Sequence, residues 1–196
     1  MNLPNKLTLF RIILVPFFVA VLLIPGIPHH YLWAGVLFGI ASLTDHYDGM
    51  LARKYNQVTT FGKFLDPVAD KILVISALVC FVALNLAPTW CVLLIIAREF
   101  MVTSLRLVAV DSGRVIAANN WGKVKTVSQI IAISVIFLLQ YIQELAAAGI
   151  LPQGILGGAG MANLAGDLFL YVAVFLTVLS GVVYMKENIG VINTMK

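Results

Sequence analysis

Thirteen lysines and arginines punctuate this chain of 196 residues, and they avoid every second one of its connecting segments. Those segments separate six apolar runs, at 7–24, 31–52, 66–86, 89–110, 123–145 and 164–185. Each run is close to the roughly 20 residues that a helix needs to cross a bilayer at about 1.5 Å per residue. Lys6 and Arg11 stand at the start of the first run, and Arg53, Lys54, Lys63 and Lys71 surround the link between the second and third. Arg98, Arg106, Arg114, Lys123 and Lys125 group around the link between the fourth and fifth, and Lys186 and Lys196 follow the sixth. The segments 25–30, 85–88 and 146–163 hold no basic residue. Because basic loops are retained in the cytoplasm, the alternation predicts an all-α integral membrane protein: six transmembrane helices with both termini cytoplasmic.

Composition supports the same class. The chain is 61% hydrophobic and 11% charged, against about 45–50% and about 25% in soluble domains. It reads as a single membrane domain over 1–196, with the glycine-rich 146–163 as a site for a re-entrant or irregular piece. Residues 1–10 lack the pattern of a cleaved secretory signal, so the first run is expected to remain as a helix. The net charge of +4 is spread in small groups rather than along one face, and nucleic acid is not an expected partner. Cys80 and Cys91 have no metal-ligand spacing, His29 and His30 sit together on a link of the opposite side, and Trp33, Trp90 and Trp121 fall near run ends, where aromatic belts form.

Against this apolar background, the stretch 44–71, "TDHYDGMLARKYNQVTTFGKFLDPVADK", carries four aspartates. Ionisable groups in or beside membrane spans are functional candidates by default. At about 100° per helical residue, Asp45, Asp48, Gly49 and Ala52 share one face, and Gly62, Asp66 and Asp70 share another. The small residues on both faces allow close approach of helix backbones. Four unneutralised carboxylates cannot share one site; one or two divalent cations would resolve this, and an all-oxygen donor set favours Mg²⁺, Mn²⁺ or Ca²⁺. Paired metals suit phosphoryl transfer. Pro67 leaves two local readings open: Asp66 caps a helix, or the proline lies inside a continuous one. An ion-coupled transporter also uses intramembrane carboxylates, but places them near the midplane in repeated halves. This block lies at one membrane face, with no repeat in 100–196.

The block also resembles the signature of the CDP-alcohol phosphatidyltransferases, D-x2-D-G-x2-A-R-x8-G-x3-D-x3-D. Asp45, Asp48, Gly49, Ala52, Arg53, Gly62, Asp66 and Asp70 match it with nothing missing, while His46 and Tyr47 are less typical at its free positions. The segments "NKLTLFR" (5–11), "AREFMVTSLR" (97–106) and "WGKVKT" (121–126) look like the bacterial branch of that family whose members make phosphatidylglycerophosphate. The resemblance implies the CDP-alcohol phosphatidyltransferase fold, a homodimer among membrane lipids, and a multi-pass place in the bacterial cytoplasmic membrane with the active site at the cytosolic face. It implies transfer of the phosphatidyl group from CDP-diacylglycerol to sn-glycerol 3-phosphate, with release of CMP and dependence on Mg²⁺ or Mn²⁺ at a two-metal site. By matched position, Asp45, Asp48, Asp66 and Asp70 would bind metal and Asp70 would also act as catalytic base. Thr44, Asp48, Gly49, Arg53 and Gly62 would bind CDP-diacylglycerol.

A small dianionic acceptor needs Arg or Lys to hold it. Arg98, inside the fourth run, is costly without an anionic partner. With Thr8, Arg11, Arg106, Lys123 and Lys125 it forms the candidate acceptor-phosphate set. The plainer reading makes these residues cytoplasmic anchors, with Arg98 paired to Glu99 or to an aspartate of the block. Another acceptor, such as serine or inositol phosphate, would fit a sibling enzyme of the same family.

Overall fold

The structure, a computed structural model, describes residues 3–54, 60–111, 120–152 and 154–189. The side chains at 3–7, 45–54, 60–68, 70, 110–111 and 156 lie outside the described part. Among the described residues there are six α-helices and no strand: α1 (Leu3–Leu23), α2 (His30–Lys54), α3 (Thr60–Ala83), α4 (Thr89–Asp111), α5 (Asn120–Ala147) and α6 (Ala159–Glu187). A single 3₁₀ turn, Ile155–Gly157, precedes α6.

The helices end where the sequence supplies residues that tolerate a left-handed backbone. At the end of α3, Asn85 has φ 57°. Its N–H reaches the Val82 carbonyl at 3.1 Å, and that of Leu86 reaches Phe81 at 2.8 Å. This is the Schellman pattern, which satisfies carbonyls that a helix end would otherwise leave without donors. The end of α5 repeats it with Gly149, at φ 75°: Gly149 N–H bonds Ala146 at 3.1 Å and Ile150 N–H bonds Leu145 at 3.0 Å. The glycine-rich link then turns through Gly154, Gly157 and Gly158, all at positive φ. It is irregular rather than a re-entrant helix, and α6 begins at Ala159 rather than at 164.

The largest departure from the sequence-based boundaries is α3, which begins at Thr60 rather than at 66. It runs through Pro67, so Asp66 lies inside the helix and is not its cap. Proline in a helix interior removes one backbone bond, and the helix continues beyond it through the apolar stretch Lys71–Ala83.

Helix α1 packs on α2 and α3, α2 on α5, α5 most extensively on α6, and α4 on α6 with a lighter contact to α3. The core between α1, α2, α3 and α5 is aromatic. Phe137 of α5 lies 4.9 Å from Phe81 of α3, and 6.0 Å from both Phe18 of α1 and Phe38 of α2, between ring centroids. Gly35 on α2 permits this, since a Cβ there would sit 3.4 Å from the Phe137 Cβ. Lipid is as apolar as these rings, so their contribution comes from packing rather than from escape from water. Phe137→Ala is therefore expected to cost about 3 kcal/mol, the low end of the range for soluble cores. Thermal unfolding in detergent micelles checks this, and an unchanged midpoint would contradict it.

The outside of the bundle is apolar as well. Phe17, Leu107, Leu164 and Phe175, on α1, α4 and α6, are each more than 60% exposed, which a water-facing surface rarely tolerates over so wide an area. By length and composition α5 and α6 can each cross a bilayer. Shorter apolar stretches lie at Thr8–Leu23, His30–Thr44 and Lys71–Ala83.

Candidate active site

Asp45, Asp48, Gly49 and Arg53 fall in the last turns of α2, and Gly62, Asp66 and Asp70 in the first turns of α3. The link between the two helices, 55–59, lies outside the described residues. Its length alone keeps the helix ends within about 20 Å of each other. Both carboxylate pairs thus sit on regular helix at adjoining ends, three and four residues apart, as one-face spacing requires. The aspartate, Arg53 and glycine positions are all outside the described side chains. Among the described residues no three His, Cys, Asp or Glu side chains gather as a metal site. Thr44, one residue before the block, turns its hydroxyl back to donate to the Ile40 carbonyl at 2.6 Å.

The predicted acceptor residues divide into two groups. Thr8 and Arg11 are buried at 3% and 2% exposure on α1, the helix that packs on the two aspartate-bearing helices. Arg98, Arg106 and Lys125 belong to the α4–α5–α6 side. Lys123 joins neither group: it is exposed, whereas Lys125, two residues on and about 200° around the helix, is buried at 5%.

Arg98 and Glu99 lie near the middle of the 23-residue α4 and are both 8% exposed. One carboxylate oxygen, Glu99 Oε1, accepts from Arg98 Nη1 at 3.3 Å and also from Lys125 Nζ of α5. Arg98 Nη2 donates to Ser180 Oγ of α6 at 2.5 Å. Gly181 makes room for this, because a Cβ there would come within 3.1 Å of Arg98 Cγ. About two turns further toward the end of α4, Arg106 Nε donates to the Tyr184 hydroxyl at 3.2 Å, with its guanidinium carbon 5.5 Å from the ring centroid. On the other side, Gln129 Nε2 donates to Thr177 Oγ1 at 3.0 Å. Buried charges and amides survive in a low-dielectric interior only when paired in this way.

A small cleft of about 20 Å³ lies between α3, α4 and α5, lined among others by Lys71, Glu99, Lys125, Thr126 and Gln129. Lys71 follows Asp70 directly in α3, so the aspartate-bearing helix borders the cation cluster. Sequence reasoning gave Lys71 no place in the acceptor set, and it missed Thr177, Ser180, Gly181 and Tyr184 altogether. A signal was present: these four form one stripe of small and polar residues, at i, i+3, i+4 and i+7, in an otherwise apolar helix.

A family model described as CDP-alcohol phosphatidyltransferase matches residues 1–179. The chain belongs to the CDP-alcohol phosphatidyltransferase family. Among its relatives, a Bacillus subtilis protein named CDP-diacylglycerol--glycerol-3-phosphate 3-phosphatidyltransferase is 47% identical over 95% of both chains. A Mycobacterium tuberculosis protein named probable phosphatidylglycerophosphate synthase is 38% identical, over 95% of this chain and 81% of its own length. A Rickettsia felis protein carrying the same name as the Bacillus relative is 36% identical over 94% of both. In this CDP-alcohol phosphatidyltransferase, the signature residues are the α2 and α3 positions described above, and "AREF" is the segment of α4 that carries Arg98 and Glu99.

Proposed function

We propose that this protein is a membrane enzyme that transfers the phosphatidyl group of CDP-diacylglycerol to sn-glycerol 3-phosphate, giving phosphatidylglycerophosphate and CMP. The observation that carries this reading is 47% identity, over 95% of both chains, to a Bacillus subtilis protein named for that transfer. The complete signature on α2 and α3 supports it. The six helices with apolar exteriors, together with basic residues in alternate links, support six spans with both termini cytoplasmic. The aspartate block and Lys71 then lie at the cytosolic face of a bacterial cytoplasmic membrane, where a lipid diphosphate and a water-soluble acceptor can meet.

The donor set suits a hard divalent cation: two carboxylate positions on each of two adjoining helix ends supply only oxygen, as Mg²⁺ or Mn²⁺ prefers. Asp45, Asp48, Asp66 and Asp70 would hold it. Bound there, it would neutralise the diphosphate and steady the leaving CMP. The chain's own residues do the rest. Thr44, Gly49, Arg53 and Gly62 border the nucleotide and its phosphates. Arg98 and Lys125 bind the acceptor's phosphate, with Arg106 beside them on α4 and Thr8 and Arg11 on α1, the helix that packs on α2 and α3. Asp70 takes the proton from the acceptor hydroxyl as that oxygen bonds to the phosphatidyl phosphorus and the bond to the CMP oxygen breaks.

The test is an acceptor panel. Purified protein in mixed micelles with CDP-diacylglycerol and Mg²⁺ or Mn²⁺ is expected to release CMP with sn-glycerol 3-phosphate, and not with serine, inositol phosphate or phosphatidylglycerol. Release only with one of the others would move the chain to a sibling activity. No release with any acceptor or metal would sink the enzyme reading.

A further inference from the structure

We propose that Glu99 is a positioning residue for the acceptor's anionic group, holding Arg98 and Lys125 together as one binding unit. The inference rests on the reading of Arg98 and Lys125 as acceptor-phosphate ligands. Three observations lead to it. First, a carboxylate buried mid-helix in a membrane protein is costly and is kept for a purpose. Glu99 stands at that depth with 8% exposure. Second, a single oxygen, Oε1, accepts from two cations that come from two different helices. Arg98 and Lys125 would repel each other at such close quarters, and a carboxylate between them offsets that repulsion. Third, Glu99 and Lys125 line the small cleft that also contains Lys71, the residue after Asp70.

The arrangement orders long side chains before any ligand arrives. Free Arg and Lys side chains lose considerable rotamer freedom on binding an anion, and prior anchoring lowers that cost. Arg98 is held at both terminal nitrogens, by Glu99 and by Ser180, and its stem lies in the space left by Gly181. Lys125 is held by the same Glu99 oxygen. The acceptor phosphate therefore meets two cations whose spacing is set by one carboxylate.

The experiment compares Glu99→Gln, Glu99→Asp, Arg98→Gln and Lys125→Gln in the full-length protein, reading CMP release against each substrate separately. Glu99→Gln is expected to raise the KM for sn-glycerol 3-phosphate by about tenfold or more, leaving the KM for CDP-diacylglycerol unchanged. Glu99→Asp, which keeps the charge but withdraws it by one methylene, is expected to fall between this and the parent. An unchanged or lower acceptor KM in Glu99→Gln overturns the proposal; so does a loss of kcat with both KM values kept, which is the mark of a purely structural role. If Glu99→Gln fails to accumulate in the membrane, Glu99→Asp decides alone: a raised acceptor KM supports the proposal and an unchanged one overturns it. The two readings fail differently. Unchanged acceptor KM in both Arg98→Gln and Lys125→Gln removes the acceptor assignment itself. Raised KM in those two beside a parent-like Glu99→Gln removes only Glu99.

Discussion

Asp70→Asn is expected to slow CMP release by about 10²–10⁴-fold, the usual contribution of a general base, while labelled CDP-diacylglycerol still binds. Asparagine keeps the shape of the carboxylate but cannot take a proton at neutral pH. Of the four signature aspartates, Asp70 stands nearest in the chain to the cation cluster, since the next residue, Lys71, lines the cleft shared with Glu99 and Lys125. Binding of the lipid nucleotide and its turnover should be measured on the same preparation. Parent-like turnover would remove Asp70 from the base role, and loss of binding together with turnover would assign it to holding the diphosphate.

The second large effect is expected at Arg98. Replacement by Met keeps most of the side-chain volume beside Gly181 but removes the bonds to Glu99 and Ser180. Truncating one partner of a desolvated, hydrogen-bonded charge pair costs about 2–5 kcal/mol. Here Lys125 still engages Glu99, so the loss of folding stability is expected near about 3 kcal/mol. The acceptor KM should rise by about 30-fold or more. Thermal unfolding in micelles reads the first quantity and steady-state kinetics the second. A lowered midpoint with an unchanged acceptor KM would make Arg98 a structural residue, which is the plainer reading its sequence position also allows.

Glu99 is the point at which these two readings of Arg98 meet. The pairing of Arg98 with its chain neighbour, expected if the arginine were only an anchor, is present. The same carboxylate oxygen also receives Lys125 from another helix. That shared partner changes the meaning of the pair, because it brings two cations of the candidate acceptor set against one carboxylate.

Much of this protein was readable before folding was considered. The apolar runs and their breaks at 25–30, 85–88 and 146–163 foretold each of the six helices, with boundaries up to six residues off at the start of α3, because a chain that leaves water must satisfy its backbone bonds within each segment. The caps at Asn85 and Gly149 came from the structure, where their tolerance of a left-handed backbone explains them. The aspartate signature was complete in one stretch of 26 residues, since helical spacing alone puts Asp45 with Asp48 and Asp66 with Asp70. Only the tertiary structure carried α3 through Pro67, separated Thr8 and Arg11 from Arg98 and Lys125, left Lys123 outside the cluster, and set Thr177, Ser180 and Tyr184 of α6 behind the polar residues of α4 and α5. The reason is physical. Periodicity shows which side chains share a face, but in a lipid-like solvent one apolar face is nearly as good a neighbour as another. Which helix meets which is then settled by small residues and short polar contacts between segments far apart in the chain, such as the Arg98–Ser180 bond over the bare backbone of Gly181.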